Sequence, residues 1–266
     1  MTDLNFRDAT AIVQLAFFAF YLAGGLFLCH KHGWHRAGGW SIVVIFSLLR
    51  LTGASFQLAT ISHPTRAIYA GALVTESIGI APLIGISAGM LGRLNGWLYK
   101  PIPRLYFSLI FAASLTGIGL ASGSAAITPP ANSPSPWVPN GLTKAADAVF
   151  AAEFGATALI FFIILAHKIE LPRIEVRLLW TIAAASPFVA VRLAFGLLFA
   201  FSGQLRFNIL VGSTTIYLFM SVLPEIIAVG IAVLIGLTLP RASTPPSQAT
   251  SKEEKKQKFR KQKFRG

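Results

Sequence analysis

The chain has 266 residues, 54% hydrophobic and only 12% charged, with a formal net charge of +13. Soluble domains carry about 25% charged residues, so this composition excludes an ordinary soluble enzyme and, despite the basic balance, a classical nucleic-acid-binding domain. The single cysteine, Cys29, excludes an internal disulfide and any multi-cysteine metal site.

Asp3, Arg7 and Asp8 at the start do not resemble the basic opening of a cleavable signal peptide, and the apolar run after them is long enough to span. A membrane helix needs roughly 20 mostly apolar residues, and seven stretches qualify. They run over about 9–28, 38–60, 67–90, 105–123, 145–166, 178–201 and 209–239. None alternates polar and apolar as a barrel strand would. The expected fold is therefore an all-α, seven-helix transmembrane bundle occupying residues 1–240.

The longest connection, 122–142, holds Pro129, Pro130, Pro134, Pro136 and Pro139, and reads as an extended loop because proline stops helices. Trp137 in it suits the membrane interface. Residues 241–266 read as a disordered basic cytoplasmic tail, with nine basic and two acidic residues. In it Lys256, Lys258, Phe259, Arg260, Lys261, Lys263, Phe264 and Arg265 form two copies of Lys-Gln-Lys-Phe-Arg. Such a cluster is expected to rest on anionic lipid of the cytoplasmic leaflet.

Basic residues concentrate on one side of the membrane. With the N-terminus outside, seventeen of them fall on the inner side and four, Arg7, Arg66, Lys144 and Arg206, on the outer. Without the tail the contrast is still eight against four. The expectation is N-terminus out, C-terminus in.

An internal order recurs. Asp8, Gln14, His30-Lys31, Trp40, Arg50 and Glu76 are followed by Asp147, Glu153, His167-Lys168, Trp180, Arg192 and Glu225. Spans one to three and five to seven would then form two like-oriented units around span four, a 3+1+3 parallel repeat. Chance similarity among low-complexity apolar helices is the alternative.

Ionisable groups near the bilayer centre cost about 2.5–3.5 kcal/mol on insertion scales and normally face the bundle interior. Here they are Arg50, Glu76, Glu153, Arg192 and Glu225, with Gln14 and Gln57 as neutral companions, while Asp8 and Asp147 lie at the outer ends and can reach water. At ~1.5 Å of rise per residue, Arg50 and Glu76 fall at nearly the same height, which suggests an ion pair. Arg192 and Glu225 are both near mid-span. Gln57, seven residues after Arg50, shares its helix face. Two arginines against three glutamates leave Glu153 without a cation, a candidate proton carrier or binder of a cationic ligand. The competing reading is one buried five-charge network that only fixes helix order.

Pro82, Pro187 and Pro224 fall within spans and can kink them. Ala81, Gly85 and Gly89 give span three a small-residue face suited to close packing in the bundle. His30, His32 and His35 beside Cys29 resemble metal ligands, but headgroup contact in a cytoplasmic turn is the stronger reading, and no metal site or cofactor is expected. Cys29 at the inner boundary is a candidate for palmitoylation. No phosphate loop, nucleophile elbow or acidic metal pair is present, and span seven lacks a lysine for a retinal Schiff base, so no enzyme is expected.

Arg50-Leu-Thr-Gly53, Gln57-Leu-Ala-Thr-Ile-Ser62-His-Pro64 and Glu76-Ser-Ile-Gly79-Ile-Ala-Pro82-Leu resemble a fungal family of seven-helix integral membrane proteins, the domain of unknown function 7702. The resemblance covers the bundle and excludes the tail. It implies a multi-pass membrane location and a fungal source, and it carries over no ligand or site residue. The remaining expectation is transport or sensing of a small molecule through the central charges, the alternatives being a receptor-like signalling protein or a scaffold whose charges are structural.

Overall fold

The computed structural model describes residues 5–33, 39–63, 65–127, 139–208 and 212–240. The basic tail, His35 and most of the proline-rich loop lie outside the described residues. Among the described residues all regular structure is helical, with no strand.

The first span is α1 (Phe6–His32) and the second α2 (Gly39–Ser62). α1 starts earlier than hydropathy indicates because Asn5 and Asp8 form a capping box that satisfies exposed N–H groups of the first turn. Asp8 is thereby buried and engaged, rather than held out in water. The third span is broken into α3 (Arg66–Ile78) and α4 (Ile80–Asn95). Pro82 has no N–H to offer the carbonyl of Ile78, which accounts for a break one turn before it.

The fourth span, α5 (Arg104–Ile127), carries helix into the stretch read as extended loop, since residues 122–127 are apolar or small and the prolines begin only at Pro129. The fifth is α6 (Gly141–Ala166), capped by Asn140, whose side chain accepts from Thr143 N–H. The sixth is α7 (Val176–Phe201), with Pro187 inside it. The seventh begins only at Thr214, after Ser213. It comprises α8 (Thr214–Tyr217), a π turn (Leu218–Val222) and α9 (Leu223–Thr238). Proline at position 224 withholds a donor from the carbonyl of Met220, and an irregular turn directly precedes it.

Seven of these segments are long and apolar enough to cross a membrane. Large apolar side chains such as Phe20, Phe111, Leu159, Phe162 and Leu234 face outward, while Arg50, Glu76, Glu153, Arg192 and Glu225 are all buried. In water this distribution would be inverted; in lipid it is the expected one. The protein is an integral, multi-pass membrane protein.

Spans one and seven run parallel and are joined at three levels. Arg7 Nη2 donates to the carbonyl of Gly212 (3.1 Å), the Tyr21 hydroxyl to Ile226 (2.9 Å), and Lys31 Nζ to Leu237 (2.9 Å). The first and last spans thus close the bundle on each other. Near the end of the bundle opposite the N-terminus, called the lower end, Trp40, Leu28 and Gly236 meet so closely that a Cβ at Gly236 would lie 2.6 Å from the indole.

Candidate functional site

The break in span three exposes the carbonyls of the last turn of α3. Two arginines from other spans fill that need. Arg50 Nη1 donates to the Thr75 carbonyl (3.4 Å) and Arg192 Nη2 to the Glu76 carbonyl (2.8 Å). Cations at a helix C-terminus also meet the negative end of its dipole. Gly79 allows this approach, because a Cβ there would overlap the Arg50 guanidinium.

Both arginines then reach both acids. Within spans two and three, Arg50 Nη1 bonds Glu76 Oε2 at 2.7 Å; within spans six and seven, Arg192 Nε bonds Glu225 Oε1 at 2.7 Å. The cross pairs are also formed: Arg50 Nη2 with Glu225 Oε1, and Arg192 Nη2 with Glu76 Oε1 at 3.3 Å. Each guanidinium lies over a phenylalanine of its own helix, Arg50 on Phe46 (5.2 Å) and Arg192 on Phe195 (5.8 Å). Two cations and two anions form a neutral knot, 0–7% exposed.

The two acids differ in their surroundings. Glu76 accepts four side-chain hydrogen bonds, the other two coming from Tyr217 (3.1 Å) and Ser221 (2.6 Å). Tyr217 and Ser221 flank the first turn of the π segment, so the irregularity of span seven is aimed at Glu76. Glu225 takes both arginines on one oxygen, and its buried Oε2 has no partner among the described residues; nor has Arg50 Nε. Tyr217 is further held by Gln14 and by Arg7, whose guanidinium stands 5.7 Å from the ring centre.

Two small cavities flank the knot. One is lined by Arg7, Gln14, Arg50, Gln57, Glu76 and Tyr217, the other by Ser124, Thr143, Asp147 and Arg192, among others. Each has about 30 Å³ of water-accessible space, about the share of one water molecule. Both lie toward the end of the bundle that carries the N-terminus.

Glu153 is elsewhere, so the five charges do not form one network. It sits between α5 and α6, 2% exposed, where Ser114 donates to Oε1 and Oε2 has no partner among the described residues. Sequence reasoning missed Ser114, Tyr217, Ser221 and Arg7. Tyr217, Ser221 and Glu225 follow one another at four-residue spacing, a helical face that was there to be read.

The histidines at the end of span one part company. His30 is exposed, whereas His32 is buried and stacked on Trp40, with ring centres 6.1 Å apart, so headgroup contact does not describe it. Cys29 is fully buried, which removes it as an accessible acylation site. Nearby, Arg93 and Glu175 form a two-pronged pair at 2.6 and 3.0 Å. The tail residues from Lys256 to Arg265 lie outside the described residues.

A family model described as a domain of unknown function, DUF7702, matches residues 4–242. The chain belongs to the DUF7702 family. The match runs from ahead of the α1 cap to just past the end of span seven, so the whole knot of this DUF7702 protein lies within it. No curated protein and no solved structure matches the chain.

Proposed function

We propose that this DUF7702 protein moves a small polar solute across its membrane, with Arg50, Glu76, Arg192 and Glu225 acting as the gate. The observation that carries this reading is that two cavities approach the knot on opposite sides from the same end of the bundle. The distribution of basic residues makes that end the outer one. Spans one to three and spans five to seven are read as two like units. Each holds one arginine and one glutamate that already pair with each other. If the units separate, the cross pairs break together with the neutral bonds from Tyr217 and Ser221 to Glu76, from Arg192 to the Glu76 carbonyl and between spans one and seven, but neither unit exposes an uncompensated charge, the step that would otherwise be prohibitive in a bilayer. The unpartnered Glu225 Oε2 and Arg50 Nε supply free hydrogen-bonding capacity for a solute at the point of parting. The broken third span and the π turn in the seventh put irregular backbone beside the gate, as transporter sites do. This reading assigns the protein no catalysis.

The test is uptake of a panel of radiolabelled small polar solutes, covering amino acids, sugars, polyamines and carboxylic acids, by liposomes carrying the purified protein. Uptake above empty liposomes is expected, with loss in Arg192→Gln and Glu225→Gln variants that remain monodisperse. Absence of uptake for every solute class, from protein that is folded and inserted, overturns the reading.

One observation favours a second reading, a scaffold with structural charges: Glu76 is saturated by its four bonds. On that reading, variants of the knot lose stability and nothing else.

A further inference from the structure

A groove with a volume of about 570 Å³ lies away from the knot, between spans two, three and four. Gly85 and Gly92 of α4 line it, Phe107 and Phe111 of α5 wall it, and it runs from Arg104 at the lower end of the bundle to Ser114 near mid-span.

The glycines are not there to let helices touch. A Cβ at Gly85 would meet Ile42 at 3.5 Å and one at Gly92 would meet Phe107 at 3.7 Å, both ordinary contact distances. At Gly79, Gly117 and Gly236, by contrast, a Cβ would collide with a neighbouring side chain. Gly85 and Gly92 therefore leave space open, so the expectation of close packing does not hold at Gly85, while Ala81 is packed in the core as expected.

The groove has a length and a charged mouth. Ten residues of α5 separate Arg104 from Ser114, ~15 Å of helix, half of a ~30 Å hydrocarbon core and thus the depth of one leaflet. At the mouth Asn95 clasps Ile102 through two hydrogen bonds, 2.9 and 2.7 Å, and folds residues 96–101 back beneath the bundle. That turn carries Lys100, and Arg104 follows it; both are exposed, and neither forms an ion pair among the described residues. Arg93 is neutralised by Glu175. Glu170 accepts the N–H of Tyr99 at 2.7 Å, which leaves the mouth with one net positive charge from Lys100, Arg104 and Glu170. Tyr99 and Tyr106, both exposed, stand at the same level, where aromatic rings favour the lipid interface.

We propose that this groove is a binding site for one anionic phospholipid, an acyl chain lying along Gly85 and Gly92 and the phosphate against Arg104 and Lys100. An apolar trough one leaflet deep with cations at its headgroup end is complementary to such a molecule along its whole length. The site is independent of the gate and stands or falls separately from it.

The experiment uses the full chain in phosphatidylcholine nanodiscs, doped with phosphatidylglycerol or phosphatidylcholine bearing a photoreactive group in one chain, and maps adducts by mass spectrometry. Adducts are expected to concentrate on the helix faces around Gly85–Gly92 and Phe107–Ser114, with the anionic probe about five-fold ahead. Arg104→Gln with Lys100→Gln, both on exposed positions, should equalise the two probes. Gly85→Leu should reduce groove labelling with either probe; should it fail to insert, Gly92→Ala, whose methyl would stand 3.7 Å from Phe107, gives a smaller reduction. Equal labelling by the two probes in the unmodified chain, or adducts spread evenly onto the outward faces bearing Phe20, Phe162 and Leu234, overturns the proposal.

Discussion

Gly79 lies directly against the guanidinium of Arg50, with no room between them for a Cβ. The backbone of span three is therefore shaped around a side chain of span two. Gly79→Ala should push Arg50 out of the knot and leave Glu225 and Glu76 short of a cation. Breaking a buried pair from one side costs about 3–5 kcal/mol, so thermal unfolding in detergent should shift strongly downward. An unshifted Gly79→Ala would mean that Arg50 has another resting place.

The two pairs should behave as one unit. Arg192→Gln alone strips a cation from both Glu225 and Glu76, and should be as costly as the loss of Arg50. Adding Glu225→Gln restores neutrality, and a coupling of about 1–3 kcal/mol is expected from a double-mutant cycle on unfolding midpoints. Additive losses would contradict a shared network.

Glu153 offers the control. Glu153→Gln preserves shape and the contact with Ser114, and should change stability by less than about 1 kcal/mol and leave solute uptake intact. Ser114→Ala removes the donor and leaves a buried carboxyl oxygen bare, at about 1–3 kcal/mol. Uptake abolished by Glu153→Gln, with stability retained, would move the functional site to spans four and five.

The pair between Arg93 and Glu175 ties the end of span three to the turn before span six through two parallel bonds. Lysine has a single charged centre and cannot supply that fork. Arg93→Lys is therefore expected to behave like Arg93→Ala, both speeding amide exchange over residues 171–177. Full protection in Arg93→Lys would show that charge alone suffices.

Much of the architecture could be read from residue order. Apolar run length gave the seven crossings, and simple rise along the helix put Arg50 opposite Glu76, which lie 2.7 Å apart. What was hidden depends on the third dimension. That Arg192 caps the carbonyl of Glu76, 116 residues away, follows from spans three and six meeting at the break, and no periodicity states it. The π turn at Leu218–Val222 was legible only in part, because Pro224 signals a disturbed helix without saying what form the disturbance takes. Ser114 carries no signal of its own, since serine is common in membrane helices and only proximity to Glu153 distinguishes it. The α1 start was legible in Asn5 and Asp8, but as a capping pattern rather than as hydropathy.

The pairing of neighbouring spans bears on how the chain is made. During synthesis Arg50 enters the lipid just ahead of Glu76, and Arg192 just ahead of Glu225, so each costly cation is followed within one helical hairpin by its counterion. Insertion can proceed hairpin by hairpin without stranding a charge for long. A chain held up after Arg192 has entered the lipid and before Glu225 follows would carry a lone arginine in the bilayer, the costly state that the finished pairing removes.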